Sequence, residues 1–153
     1  MVKFINNSNV MKKIFFLICF FIFSLNTQLY AKENFFEEAK NKYDKKQMED
    51  SKFLFQRNIV FNPKDAKSYL FLAKIYNFEK NEKEELKNLK TTLLLEPKNE
   101  EAMNMLINIE LEKSNFSEVK DLTKKFEIIC SKLCYKTKGI KDKLKDIEAK
   151  TKK

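Results

Sequence analysis

The amino-acid sequence predicts an all-α fold, built as a stack of about three helix pairs and closed by a C-terminal helix. Three observations lead to this prediction. The 153 residues include one Gly and two Pro, too few for the many tight turns of a sheet-rich fold. Apolar residues recur at helical spacing along most of the chain. Similar residues also recur every 34 positions, as expected for a stacked helical repeat.

The first predicted element is a signal peptide covering residues 1–31. Lys12 and Lys13 precede an apolar run over residues 14–23, and Ala31 follows a short polar stretch. This is the order of segments in a secretory signal peptide. The run is shorter than the roughly 20 residues that a transmembrane helix needs. We therefore expect cleavage after Ala31 and export to the periplasm or beyond. A membrane-anchored adaptor that retains this segment is the alternative.

The 34-residue period begins directly after this segment and continues to residue 131. Its clearest marks are Asn62-Pro63-Lys64-Asp65 and Glu96-Pro97-Lys98-Asn99, which lie one period apart. The same shift superposes Phe35 with Tyr69 and Met103, and Ala39 with Ala73 and Ile107. The period predicts three units, at about 32–65, 66–99 and 100–131. Proline should end the first two units, because it cannot continue a helix interior.

Each unit is predicted to contain two helices. In the middle unit, the first helix carries the stripe Tyr69, Leu72, Ala73 and Tyr76, and the second carries Leu86, Leu89, Leu93 and Leu95. Asn81 followed by Glu84 is a variant of the capping box and should start the second helix. Asn115 and Glu118 repeat this pattern in the last unit.

These positions resemble the tetratricopeptide-repeat (TPR) family, and the resemblance implies a right-handed superhelical stack. The matching residues are Tyr69, Leu72, Ala73, Tyr76, Leu89 and Pro97 in the middle unit, Phe35, Ala39, Phe55 and Pro63 in the first, and Met103, Leu106, Phe116 and Val119 in the last. Glu85 stands where the family usually has a small Ala, so we expect a looser contact there. Ser131 stands where a third Pro would fall, so we expect the repeats to end there.

A basic capping helix and tail are expected over residues 132–153. Ile140, Leu144 and Ile147 are spaced to form one narrow apolar face, and such a helix can cover the exposed end of a repeat stack. The formal net charge is +9, and lysines are in excess in this tail. The tail is therefore either a solvated face or a weak contact to an anionic membrane surface or to an acidic protein. Because export is expected, nucleic acid is not an expected partner.

Two cysteines remain once Cys19 leaves with the signal peptide, and they favour a disulfide between Cys130 and Cys134. Residues four apart in a continuous helix have Cβ atoms roughly 5–6 Å apart, whereas a disulfide needs about 3.5–4.5 Å. The bond therefore predicts a break between helices. Two buried thiols are one alternative, and a thiol-redox accessory protein that uses this pair is another.

The composition argues against an enzyme. The chain has no His, and Gly139 is its only Gly, which removes imidazole catalysis and Gly-rich phosphate loops. We expect no catalytic residue, no metal site, no cofactor and no small-molecule substrate.

The resemblance to TPR proteins implies a concave surface lined by the first helix of each unit. The partner-binding side chains expected there are Phe36, Lys40, Tyr43, Leu70, Lys74, Asn77, Asn104, Asn108 and Leu111. Lys40, Lys74 and Asn108 lie one period apart and would form one exposed row. The expected function is an interaction or scaffold module of the cell envelope, binding another protein or a peptide.

Overall fold

The computed structural model describes Lys12, residues 14–18 and residues 35–151. Lys12 and residues 14–18 are helical and exposed. The predicted cleavage site at Ala31 lies outside the described residues, as does Cys19. Among the residues described, no helix has both the length and the apolar character needed to span a membrane.

Seven helices follow one another between residues 35 and 151, and no strand occurs in this range. They are α1 (Phe35–Asp44), α2 (Met48–Phe61), α3 (Ala66–Phe78), α4 (Glu82–Leu95), α5 (Glu100–Glu112), α6 (Phe116–Ile129) and α7 (Lys136–Thr151). The first six form three consecutive pairs, and α7 packs against α6. The predicted all-α stack of helix pairs with a C-terminal helix is confirmed.

Proline and asparagine mark several of the helix ends, as predicted. α2 and α4 end two residues before Pro63 and Pro97. The Asn81 side chain accepts a hydrogen bond from the Glu84 N–H at 3.3 Å, so it caps α4. Asn99, which we did not predict as a cap, accepts from the Ala102 N–H at 2.9 Å at the start of α5.

The capping box predicted for α6 is wrong. Asn115 stands at the N-cap position but makes no capping hydrogen bond. Its Nδ2 instead donates to Glu110 Oε2 at 2.9 Å. This bond orients the Asn115 side chain toward the end of α5, and the prediction that α6 starts directly after Asn115 is confirmed.

The three first helices all end in the same way, although none ends in glycine. Lys46, Lys80 and Ser114 have positive φ angles of 62°, 60° and 58° and lie one period apart. The following N–H groups donate back to carbonyls five residues earlier, Gln47 to Lys42, Asn81 to Tyr76 and Asn115 to Glu110, each at 2.9 Å. This is the hydrogen bond that closes a Schellman motif. It turns the chain so that the second helix can pack back on the first.

Three apolar clusters run through the stack. The first contains Ala39, Leu54, Phe55, Leu72 and Ile75, the second Leu70, Ala73, Leu89, Ala102 and Ile109, and the third Met103, Leu106, Ile107, Leu111, Val119, Leu122, Phe126, Ile140 and Leu144. Each cluster joins residues of neighbouring helices along the chain, as in a linear repeat. Ile140 and Leu144 belong to α7, and Ile147 packs against them, so the predicted capping face is confirmed.

Candidate functional site

The first helices of the three pairs line one open groove. Its wider part is a hollow of about 700 Å³, lined by Tyr43, Lys46, Met48, Lys74, Asn77, Phe78, Lys80, Glu101 and Met105. A smaller hollow of about 330 Å³ shares Asn77, Lys80 and Met105 and adds Glu82, Glu85, Asn108, Ile109 and Glu112. These two connected hollows are called the groove below. α1, α3 and α5 therefore present side chains to a single continuous surface.

Four of the nine predicted partner-binding residues line this groove. They are Tyr43, Lys74, Asn77 and Asn108. Four further residues that were not predicted from the sequence also line it, namely Lys46, Lys80, Glu101 and Met105. Lys46 and Lys80 lie one period apart, so the repeat could have identified them as equivalent positions of two units.

Three predicted residues are buried and do not line the groove. Leu70 and Asn104 are 7% exposed, and Leu111 is 6% exposed. Leu70 belongs to the second apolar cluster and Leu111 to the third. The expectation that these side chains face a partner is wrong, because Leu70 packs with residues of α4 and α5, and Leu111 packs with residues of α6 and α7.

Phe36 and Lys40 also lie away from the groove. The Phe36 ring meets Phe55 and Phe71 edge-on, with centroids 5.6 and 5.9 Å away, and so packs into the interior. Lys40 Nζ lies 2.7 Å from Asp44 Oδ2 on its own helix and lines a separate hollow on α1. The predicted single row of Lys40, Lys74 and Asn108 is therefore wrong at its first member.

The centre of the groove is held by an ion pair between α3 and α5. Lys74 Nζ lies 2.7 Å from Glu101 Oε1 and 4.7 Å from the centroid of the Phe71 ring. The Tyr43 ring packs edge-on against Phe71 at 5.1 Å. Burial, with the nearby charges of Glu101 and Asp44, raises the pKa of Tyr43. Its hydroxyl is therefore a neutral group that can donate a hydrogen bond.

A buried carboxylate forms the floor of the smaller hollow. Glu85 is 4% exposed, and Asn77 Nδ2 donates to both of its carboxylate oxygens at 3.1 Å. Burial raises the pKa of Glu85, although the hydrogen bond from Asn77 opposes the shift. The expectation of a looser contact at Glu85 is therefore wrong, because the Glu85 side chain is buried and hydrogen-bonded to Asn77.

The rim of the groove carries unpaired positive charge. Lys46 and Lys80 are exposed, and neither makes an ion pair within the described residues. Phe78 beside them is 68% exposed. The wide end of the groove thus combines cationic groups with an exposed aromatic ring. The narrow end is lined by Lys80, Glu82 and Glu112, and Glu82 Oε1 lies 2.6 Å from Lys113 Nζ.

The corner between α6 and α7 lies outside the groove and is closed by a disulfide. Cys130 and Cys134 are bonded with Cα atoms 5.2 Å apart, and the segment between them is not helical. The predicted disulfide and helix break are both confirmed.

A carboxylate from α5 fills this disulfide loop. Glu100 accepts hydrogen bonds from the N–H groups of Ser131, Lys132 and Leu133 and from the Ser131 hydroxyl, at 2.7–3.3 Å. These bonds lower the pKa of Glu100 to about 2. Ser131, in place of a third Pro, therefore supplies two donors that tie the corner to the start of α5.

The described residues contain no cluster of His, Cys, Asp and Glu suited to a metal ion. Buried polar side-chain atoms in this part of the chain all have hydrogen-bond partners. The groups able to act on a ligand in the groove are thus exposed amides, the Tyr43 hydroxyl, carboxylates and lysines. This set is suited to hydrogen bonding and charge recognition.

Solved structures share this fold. The type III secretion chaperone SycD of Yersinia enterocolitica, in complex with a peptide of the translocator YopD, is similar with a TM-score of 0.66 and 16% identity, over 78% of this chain and 93% of that one. A second SycD structure gives a TM-score of 0.67 and 15% identity, over 79% and 86%. The Sgt2 TPR domain of Aspergillus fumigatus gives 0.65 and 12% identity, over 80% and 83%. No protein-family model and no curated protein matches the chain. The chain thus has a TPR-like fold.

Proposed function

We propose that this chain is an exported protein-interaction module of the cell envelope, which binds a partner protein or an extended peptide in the groove. The observation that carries the proposal is the groove itself, in which three successive first helices present polar and apolar side chains to one hollow of about 700 Å³. The solved complex of SycD with a YopD peptide supports a polypeptide as the occupant.

The side chains of the groove match the needs of an extended peptide. Such a peptide has unpaired backbone N–H and C=O groups, which require partners when it binds. Asn77, Asn108 and Tyr43 offer amides and a hydroxyl for this purpose. Phe78 and Met105 offer apolar contact. The groove can therefore satisfy both the backbone and alternate side chains of its ligand.

The charges at the rim favour an acidic group at the wide end. Lys46 and Lys80 have no ion-pair partner within the described residues, whereas Lys74 is paired with Glu101. The unpaired lysines can therefore attract a carboxylate of the ligand, and Lys80 lines both hollows of the groove.

We further propose binding without catalysis. The chain has no His, and the Lys74 and Glu101 side chains neutralise each other in the middle of the groove. Asn77 holds the Glu85 carboxylate. These ionisable groups are therefore held by neighbouring side chains and shape the surface of the groove.

Export is the part of the proposal that depends on residues 1–31. The order of Lys12 and Lys13, the apolar run and Ala31 supports a cleaved signal peptide. Intact-mass measurement and N-terminal sequencing of the chain from its native host should show a product that starts at Lys32. A product that retains residues 14–23 would instead indicate a membrane-anchored adaptor.

The groove is tested by a charge reversal with a matched control. The tagged chain is expressed in its native host, and captured proteins are compared for the wild type, for Lys46→Glu with Lys80→Glu, and for Lys45→Glu with Lys83→Glu. All four lysines are exposed, so each change should alter the free energy of unfolding by no more than about 0.5 kcal/mol. Only Lys46 and Lys80 line the groove.

A partner that binds in the groove should be lost from the first variant and kept by the control, because attraction at the rim has become repulsion. Equal loss from both variants would indicate attraction to net charge alone. Capture that survives in the groove variant would place the binding surface elsewhere.

A further inference from the structure

The last turns of the second helices carry a row of exposed aliphatic side chains. Val60, Leu94 and Ile128 are 76%, 81% and 84% exposed. They lie one period apart, and each is the second-to-last residue of a second helix, in α2, α4 and α6. Single exposed aliphatic residues are common on protein surfaces. The same position exposed in all three repeats is a pattern that packing of the fold does not require. These three residues are called the aliphatic row.

A row of lysines accompanies it. Lys64, Lys98 and Lys132 each follow four residues after a member of the aliphatic row, in the turn beyond the helix, and all three are exposed. None of them makes an ion pair within the described residues. The acids in or beside these turns are Asp65, Glu96 and Glu100, and each accepts hydrogen bonds from neighbouring polar groups. This edge of the stack therefore combines exposed aliphatic side chains with lysines that have no ion-pair partner among the described residues.

We propose that this edge docks on an anionic lipid bilayer. An aliphatic side chain beside a lysine fits a membrane interface, because the apolar group can enter the acyl boundary while the ammonium group stays among the phosphates. Residues 1–31 contain three lysines and no acid, so residues 32–153 keep a formal net charge of +6, which is carried by residues 132–153 and adds long-range attraction to an anionic surface. Tyr135, 73% exposed and three residues beyond Lys132, extends the edge with a ring suited to the same interface.

The chemistry of the edge favours a bilayer over a protein partner. Protein interfaces are usually anchored by aromatic or Arg side chains that fill pockets. The members of the aliphatic row instead project singly from the ends of successive helices. A soft surface that admits separate side chains accommodates them without a matching set of pockets.

Docking on this edge leaves the groove open. None of the residues of either row lines the groove, and the second helices contribute to the groove mainly through their first turns. The membrane proposal therefore does not rest on the proposed function, and each can fail alone.

The absence of Trp from the chain provides a site-specific test. The protein, in the form released by its native host, is prepared as Leu94→Trp and as Asn108→Trp, both at exposed positions. Each is titrated with vesicles of phosphatidylglycerol and phosphatidylcholine in equal parts, and with vesicles of phosphatidylcholine alone. Because the probe reports its own surroundings, binding through any other segment does not produce the expected signal.

For Leu94→Trp, the emission should shift to shorter wavelength with the anionic vesicles, and brominated lipid should quench it. Asn108→Trp should show neither change. In the Leu94→Trp background, Lys64→Gln, Lys98→Gln and Lys132→Gln together should weaken vesicle binding by about 100-fold, at roughly fivefold for each lysine. Lys45→Gln, Lys46→Gln and Lys83→Gln make the same charge change at the opposite end of the second helices and should weaken it much less.

Three results would overturn the proposal. One is equal behaviour of the two Trp probes. The second is equal weakening by the two triple variants. The third is a shift of the Leu94→Trp emission that develops with protein concentration in the absence of vesicles, since a second copy of the chain would then cover the row.

Discussion

The lysines of the groove and those of the edge that carries the aliphatic row differ in their partners. In the groove, Lys74 is paired with Glu101 at 2.7 Å and only the rim lysines are unpaired. On the edge, Lys64, Lys98 and Lys132 are all without an ion-pair partner among the described residues. The paired lysine fixes the positions of two side chains in the groove. The unpaired, exposed lysines of the edge attract any anionic surface, and salt screens this attraction.

In the two proposals above, one repeat serves two kinds of contact. The first helix of each pair lines the groove and the last turn of the second helix carries a member of the aliphatic row, so each 34-residue unit contributes to both surfaces. We expect recognition in the groove to depend on geometry. We expect contact at the edge to depend on ionic strength.

The largest expected effect comes from the core that both faces share. Leu89 is fully buried in the second apolar cluster. Leu89→Ala should lower the free energy of unfolding by about 2–5 kcal/mol and weaken both contacts together. Leu94→Ala, on the same helix but 81% exposed, is the matched control and should change stability by no more than about 0.5 kcal/mol. Urea denaturation measures both. Similar losses in the two variants would mean that the burial assigned to α4 is incorrect.

Glu100, which bonds to the corner between α6 and α7, should make the free energy of unfolding depend on pH. The folded-state pKa of Glu100 is about 2, below its ordinary value of 4.5. Its carboxylate therefore stabilises the fold above about pH 4.5, and this contribution is lost as the pH falls from 4.5 toward 2. Glu100→Gln should be less stable than the wild type at pH 7, and the difference should shrink with acid.

The control for this experiment is Glu96→Gln, whose carboxylate accepts one hydrogen bond from Asn99. Urea denaturation at several pH values should show little change in that variant. A Glu100→Gln difference that stayed constant from pH 7 to pH 2.5 would contradict the role of the carboxylate charge.

Reduction of the disulfide should act on the corner and on α7, and not on the groove. Closing the short loop between Cys130 and Cys134 stabilises the fold by less than the roughly 3 kcal/mol expected for a 15-residue loop. Hydrogen exchange after reduction should accelerate in α7 and leave α1 to α4 unchanged. Cys130→Ser with Cys134→Ser should reproduce this result. Exchange that accelerated throughout the stack would show that the disulfide supports all three pairs.

The smallest expected effect lies on the floor of the groove. Burial raises the folded-state pKa of Glu85, so ionisation of this group opposes folding, and stability increases as the pH falls through the raised pKa. Glu85→Gln removes the charge and keeps an oxygen to accept from Asn77. The variant should be at least as stable as the wild type at pH 7 and should lack this part of the pH dependence. A clear loss of stability at pH 7 would mean that the charge itself is needed.

The sequence predicted the parts of the fold that repeat or that depend on neighbouring residues. Pro63 and Pro97, one period apart, predicted the ends of α2 and α4. The Asn81 cap joins residues only three positions apart, and the core positions Ile140 and Leu144 follow from helical spacing. The same reasoning failed for Leu70 and Leu111, because a period identifies equivalent positions without saying how far the next pair covers them.

Contacts between residues far apart in the sequence could not be predicted, because local patterns do not identify the partner. Glu100 bonds to a loop about thirty residues away, and nothing in the local pattern selects that carboxylate over Glu101. Lys46 and Lys80 adopt a backbone conformation usually given to glycine. The exposure of the aliphatic row could not be predicted either. Its members recur with the period, but aliphatic residues at helical spacing are normally assigned to the core.

The groove is tested most directly by the reactivity of its lysines toward an acetylating reagent, measured with and without the partner protein captured in the groove experiment. Four lysines are exposed in the free chain, Lys46 and Lys80 at the groove and Lys64 and Lys98 at the edge that carries the aliphatic row. Our account predicts that the partner protects Lys46 and Lys80 and leaves Lys64 and Lys98 as reactive as before. Protection of Lys64 and Lys98 with unchanged Lys46 and Lys80 would contradict the assignment of the groove as the protein-binding site.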